Sequence, residues 1–249
     1  MLATFIALYV AHILADFVLQ PNRLIKLKRT SVGMALHLVI VLVAVITVTG
    51  TLHPGLLLFV AATHLTLDVW KQLQTNRQKF TPFIIDQGGH LLSLALAAAL
   101  FPMVFEQGFW GAGRGSEGLS ALGLTANLYL VGWLVFGGAV LAVRAGGFAV
   151  ASLFQSLDYA DPAQQDSLPA GGQTIGYLER ALVFFFVLTQ QMAVIGFLIA
   201  AKSFLRFGEV QERKASEYVI IGTLASFGWA LAVSWSTGEL LSALDWQQE

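Results

Sequence analysis

The sequence predicts an all-α integral membrane protein, a polytopic bundle of about seven transmembrane helices, from three observations. Of 249 residues, 56% are hydrophobic and 12% charged, where a soluble domain carries about 25% charged residues. The mean hydropathy is +0.71. Apolar runs near the roughly 20 residues needed to cross a bilayer core recur along the chain. Open strand edges cannot be satisfied in lipid, so these runs read as helices.

The first run, residues 2–20, has no basic n-region and no small-residue cleavage pattern, so it reads as an uncleaved span closed by Pro21. The second covers 33–51. The third, 54–72, opens at Pro54, and the fourth, 82–105, opens at Pro82, where proline suits a helix start. "EQGFWGAGRGSEGLS" (106–120) reads as a Gly-rich loop before a fifth span at 122–143. "RAGGFAVASLF" (144–154) reads as an interfacial or re-entrant piece, and 155–173 as a polar linker. Spans at 177–201 and 217–237 complete the set. Three regions result: 1–105, a four-helix membrane region; 106–173, loop, fifth span and linker; and 174–249, the C-terminal membrane helices.

Basic residues set the orientation. Arg23, Lys26, Lys28 and Arg29 follow span 1, and Lys71, Arg77 and Lys79 follow span 3. The positive-inside rule makes that side cytoplasmic and puts the N-terminus outside. Seven spans would leave Lys202, Arg206, Arg213 and Lys214 outside, against the rule, so either a re-entrant segment restores the parity or the count differs. "SWST" and Trp246 read as interfacial anchors.

Exclusions follow from composition. The chain has no cysteine, which removes disulfides and thiolate metal sites and leaves His, Asp and Glu as ligands. A net charge of −1 and the lack of a basic-aromatic surface argue against a nucleic-acid partner. There is no Gly-rich phosphate loop after a strand and no nucleophile elbow.

The informative pattern lies in the first 105 residues, whose only acidic side chains are Asp16, Asp68 and Asp86. Each has a histidine four positions away, in the pairs His12/Asp16, His64/Asp68 and Asp86/His90. Spacing of i,i+4 places both groups on one helix face; scattered histidines would match all three with a chance of about one in a thousand. The order reverses in span 4, which runs the opposite way. All three carboxylates therefore fall at one depth near the cytoplasmic side, with the imidazoles one turn further in and His37 at the same level. Ionisable groups at such positions cost several kcal/mol and tend to mark function. Gln20 continues the His12/Asp16 stripe and is expected at the mouth of the site, bonded to Asp16 or to substrate. His53, beside Pro54, reads as an ordinary surface histidine. Glu179 and Arg180 in "GYLERALVFFF" point to different faces and are expected to pair with other helices. In "AAKSFLRF", Lys202 and Arg206 share a face, as a basic helix end at headgroups would.

The pieces "AHILADFVLQ", "ALHLVI", "THLTLDVWK", "FIIDQGGH", "GYLERALVFF" and "AAKSFLRF" resemble a family of bacterial inner-membrane proteins, the domain-of-unknown-function family 3307. The resemblance implies a fold and site positions but no reaction. "THLTLDVW" is also similar to the His-x-x-x-Asp motif of membrane-bound metal-dependent hydrolases. In residue types alone, the set looks like that of intramembrane amidases of the alkaline ceramidase type.

These readings converge on a metal-dependent hydrolase embedded in the inner membrane. His12, His64 and His90 are expected nitrogen ligands, and Asp16, Asp68 and Asp86 oxygen ligands or general bases. The cofactor is a divalent metal; zinc suits an all-N/O set, while manganese, iron or a two-metal centre fits several carboxylates. Lys71 and Arg180 are expected to receive an anionic headgroup, which favours a lipid or lipid-linked substrate from the cytoplasmic leaflet. Two alternatives stay open: a proton- or metal-coupled transporter using the same layer, and a non-catalytic membrane subunit or sensor. Oligomeric state is not legible.

Overall fold

In a computed structural model of the protein, which describes residues 1–76, 78–157, 170–207 and 213–246, helix α1 (Leu2–Ile13) is enclosed almost all round. Ile6, Ala7, Leu8, Val10, Ala11 and Ile13 have no exposed surface, as expected of a helix apolar on every face. α1 packs against α3 (Ser31–Thr49), α5 (Phe80–Leu100), α6 (Val104–Gln107) and α8 (Ala126–Val140). At its end the chain widens into a π-turn, Leu14–Val18, in which the Leu19 amide donates to the Leu14 carbonyl at 2.8 Å.

A tight corner follows. α2 (Asn22–Leu27) leads to Thr30, whose Oγ1 accepts from the Gly33 amide at 3.2 Å and donates to the Leu27 carbonyl at 2.8 Å. A Cβ on Gly33 would lie 2.1 Å from that carbonyl oxygen, so only glycine permits this approach. α4 (Pro54–Leu73) starts with proline in its first turn and with the His53 ring, whose Nδ1 accepts from the Leu56 amide at 3.3 Å. His53 is thus a helix cap. α5 lies close to α4 because Gly89 faces Leu67, whose Cδ2 would be 2.8 Å from an added Cβ.

These helices, with α7 (Arg114–Ala121), form one unit, Met1–Val140 with Leu241–Glu249. The second unit, Leu141–Leu240, holds a second π-turn (Leu141–Ala145), α9 (Gly146–Ser156), α10 (Gly171–Leu188), α11 (Met192–Phe207) and most of α12 (Arg213–Trp246). Its core gathers Val183, Val187, Ile195, Phe227 and Ala230.

The described residues are helical throughout their regular structure, with no strand among them. Among the described residues, four helices are long and apolar enough to cross a membrane: Ser31–Thr49, Phe80–Leu100, Ala126–Ser156 and Ser216–Leu244. Leu2–Val18 and Met192–Lys202 are shorter apolar helices.

Several boundaries differ from expectation. The span expected at 177–201 is two helices, broken at Thr189–Gln191, where Gln190 adopts φ 60° and the Gln191 amide turns back to the Phe186 carbonyl at 2.7 Å. Three consecutive polar residues interrupt the apolar run there. The segment 144–154 is no separate piece; it continues the helical stretch Ala126–Ser156, since glycine is well tolerated in membrane helices. The stretch 106–120 includes most of α7 and the end of α6, which bury Leu119 and Phe105. Most of the expected linker (158–169), Arg77, and the side chains of Arg206, Arg213, Lys214 and Trp246 lie outside the described residues.

Candidate metal centre

Four helical segments of the first unit converge their polar groups. α1 and its π-turn bring His12 and Asp16, α3 brings His37, α4 brings His64 and Asp68, and α5 brings Asp86, Gln87 and His90. The four imidazoles and the last two carboxylates are buried, none more than 5% exposed.

Ligand atoms of Asp16, His37 and His64 all lie within 4.8 Å of one another, and Asp68 approaches both imidazoles. His37 Nε2 lies 3.1 Å from His64 Nε2, 3.2 Å from Asp16 Oδ1 and 3.5 Å from Asp68 Oδ2. His64 Nε2 lies 3.7 Å from Asp16 Oδ1 and 3.4 Å from Asp68 Oδ2. A tetrahedral zinc with bonds of 2.0–2.1 Å separates its ligands by about 3.3–3.4 Å. The separations among His37, His64 and Asp16, and those of Asp68 from the two imidazoles, scatter around that value. Asp16 Oδ1, despite two imidazole nitrogens within reach, makes no hydrogen bond. His37 Nε2 and His64 Nε2 stand within hydrogen-bond distance of each other, and the donor set fits a metal ion.

A second focus lies beside the first. Asp86 Oδ1 and His90 Nε2 stand 3.5 Å apart, and neither makes a hydrogen bond. Ligand atoms of Asp68, Asp86 and His90 all lie within 4.8 Å of one another, as do those of His12, His64 and His90. Asp68 and His64 therefore stand at both foci. The rings of His64 and His90 are 4.3 Å apart and those of His12 and His90 4.6 Å. His12 Nδ1 is a fourth buried atom without a partner. An unsatisfied buried polar group costs about 1–3 kcal/mol, so four in one cluster require a common explanation. A cation or shared protons would supply it.

Two lysines reach into this cluster. Lys28 Nζ donates to Asp68 Oδ1 at 2.8 Å with both side chains buried. Lys71 Nζ donates to Asp86 Oδ2, which also accepts from Gln87 Nε2 at 2.9 Å. Lys71 keeps 27% of its side chain exposed against 7% for Lys28, so it marks the open side of the cluster. Asp16 has no lysine. With the histidines neutral, the three carboxylates exceed the two lysines by one negative charge, which one proton, or a divalent ion carrying a hydroxide, would offset.

All six ligands expected from the sequence are brought together, with His37 added in a ligand's position. His64/Asp68 and Asp86/His90 meet along their helices as the i,i+4 spacing predicts. Asp16 is turned toward His37 and His64, because the π-turn takes it off the ordinary helical spacing. Gln20 satisfies both ends of its amide when the nitrogen donates to the Asp16 main-chain carbonyl at 3.2 Å and the oxygen accepts from Lys28 Nζ at 3.0 Å. Lys71 is engaged by Asp86. Sequence reasoning missed Lys28 and Gln87 as members. Gln87 sits three residues before His90, a helical neighbour that the motif "FIIDQGGH" already displayed. His12 Nε2 lies 3.4 Å from its Oε1.

The second unit holds the other expected cluster. Lys202 Nζ donates to Glu179 Oε2, while Arg180 turns away to Val143 and Ser226. The neighbours do point to different faces. Lys202 pairs within the bundle.

The class defined by fold and site is an all-helical protein with apolar helices fit for a membrane and a buried His/Asp cluster able to hold a metal ion. Residues 4–108, which include all seven ligand-type side chains, match the family model described as "Protein of unknown function (DUF3307)". No curated protein matches the chain, nor does any solved structure.

Proposed function

We propose that this protein is a metal-dependent hydrolase of the bacterial inner membrane, N-terminus outside, acting on a lipid or lipid-linked substrate from the cytoplasmic leaflet. The observation that carries the reading is the convergence of Asp16, His37 and His64, with Asp68 against both imidazoles, beside a second focus at Asp86 and His90. Imidazole and carboxylate together favour zinc over calcium or magnesium.

A bound zinc would supply Lewis acidity and lower the pKa of a coordinated water toward neutrality. The protein's own groups complete the requirements. Asp86, held at Oδ2 by Lys71 and Gln87, keeps Oδ1 free inside the cluster to take a proton. Gln87 and Gln20 orient His12, Asp86 and Lys28 as outer partners of ligands do. Lys71, the more exposed lysine, suits the contact with an anionic headgroup at the open side. Buried apolar walls around the cluster exclude bulk water and strengthen each of these interactions.

The test begins with metal analysis of detergent-purified protein and proceeds to release of polar headgroup from a panel of labelled lipids. The proposal expects stoichiometric zinc, and hydrolysis that is lost in His64→Ala and in Asp86→Asn. Tight zinc without turnover of any lipid, combined with zinc uptake by proteoliposomes, would favour the transporter reading instead.

A further inference from the structure

Arg180, on α10, is 3% exposed, yet its neighbours supply no carboxylate for it. Its Nε donates to the Val143 carbonyl at 3.1 Å and its Nη1 to Ser226 Oγ at 2.9 Å. Nη2 has no hydrogen-bond partner among the described residues. The adjacent carboxylate, Glu179, is engaged by Lys202. The Tyr177 ring, 5.5 Å from the guanidinium carbon, offers only a weak attraction. The local sum of Glu179, Lys202 and Arg180 is one positive charge enclosed in an apolar helix bundle. Neutral acceptors orient a guanidinium but leave its charge uncompensated, at a cost of several kcal/mol.

The surroundings pack closely on that side chain. Cβ atoms added to Gly147 and Gly176 would stand 3.4 and 3.5 Å from Nη2, and one on Gly176 only 3.0 Å from Nη1. One on Gly146 would stand 2.8 Å from Arg180 Cδ. Glycine at these positions lets the Arg180 side chain lie directly against the helix backbone, where any side chain would crowd it. The Val143 carbonyl comes from the second π-turn, whose Leu141 carbonyl accepts from Trp229 Nε1 at 3.0 Å. Such turns recur at functional sites. Ser226 Oγ accepts from Nη1 and retains its own hydroxyl proton to donate.

We propose that Arg180, through its unpartnered Nη2 and with the Ser226 hydroxyl, forms an oxyanion-binding site in the second unit. Its ligand is a phosphate-type group, whose oxygens match the planar donor fork and cancel the buried charge. The source is either a phospholipid headgroup or a free anion. The site stands independently of the metal centre, whose residues all belong to the other unit.

The test uses the full chain in a neutral detergent, monitoring thermal unfolding. One arm titrates inorganic phosphate against chloride at matched ionic strength; the other titrates phosphatidylglycerol against phosphatidylcholine. A saturable rise in melting temperature with phosphate identifies a free anion, and one with phosphatidylglycerol alone identifies a headgroup. Arg180→Lys keeps the charge but loses the fork, and should weaken the apparent affinity at least tenfold. Arg180→Met removes the uncompensated charge; it should melt no lower than the anion-free wild type and show no response. No response of the wild type to either probe, or an unchanged midpoint concentration in Arg180→Lys, overturns the proposal even if Arg180→Met fails to fold.

Discussion

Replacing Lys28 by methionine tests how the cluster divides its charge. Lys28 Nζ and Asp68 Oδ1 are 2.8 Å apart, with side chains 7% and 5% exposed. At an effective dielectric of about 20, charges at that distance attract by about 6 kcal/mol. The desolvation that the pair already bears reduces the net effect, and removing one partner of a buried pair typically destabilises by about 3–5 kcal/mol. That loss belongs to metal-free protein, where Asp68 is left as an unpaired buried carboxylate. Asp68 Oδ2, however, belongs to the ligand set with His37 and His64. In zinc-loaded protein the ion takes over the compensation, so Lys28→Met should cost less than half as much. The assay is unfolding in detergent of wild type and variant, each with excess zinc and with chelator. Equal losses in both states would refute the shared role of Asp68, and no loss under chelator would refute the buried pair itself.

Other consequences follow from the same geometry. Gln87→Ala removes a donor from Asp86 and the neighbour of His12; as an outer partner it should weaken zinc binding by about 10–100-fold, read by competition with a fluorescent chelator. Gln20→Ala should retain metal while lowering activity or transport, because its amide contacts Lys28, the Asp16 main chain and the outer nitrogen of His37, Nδ1, but not the Nε2 that faces the cluster; metal loss as complete as in His64→Ala would contradict that division. Gly33→Ala drives a methyl against the Leu27 carbonyl and should destabilise by about 1–3 kcal/mol, measured as a lower melting temperature. Glu179→Gln leaves Lys202 without its carboxylate and should melt lower than the double variant with Lys202→Met; equal melting of the two would show that the pair is not coupled.

The ligand set was largely readable because helix periodicity is local. Residues four apart share a face, so three His/Asp pairs in a region with no other acid announce a common site before any tertiary contact is known. His37 was readable only as a polar group at the same level; its place among the ligands comes from α3 packing against α4 and the first π-turn. Lys28 was misread for a physical reason. A lysine in a basic inter-helix segment is ordinarily a topology signal, and only the corner closed by Thr30 and Gly33 folds it back into the interior. The π-turn at Leu14–Val18 had no sequence mark, because an extra residue in a turn leaves the apolar composition unchanged. The break at Thr189–Gln191 was hidden by its flanks, which average to an apolar window of spanning length. The continuity of helix through Gly146 and Gly147 was hidden by the opposite error, reading glycine as punctuation in a setting where it permits close packing around Arg180.

The central claim, that His37, His64, Asp16 and Asp68 hold a metal ion, is tested most directly by X-ray absorption at the zinc edge on the purified protein, with metal content measured in parallel. The account predicts at least one zinc per chain in a four-coordinate shell of nitrogen and oxygen only, at about 2.0–2.1 Å, with imidazole scattering that falls in His37→Ala and His64→Ala. Metal-free protein that stays empty in excess zinc, or a bound zinc whose shell is unchanged in both histidine variants, would contradict it.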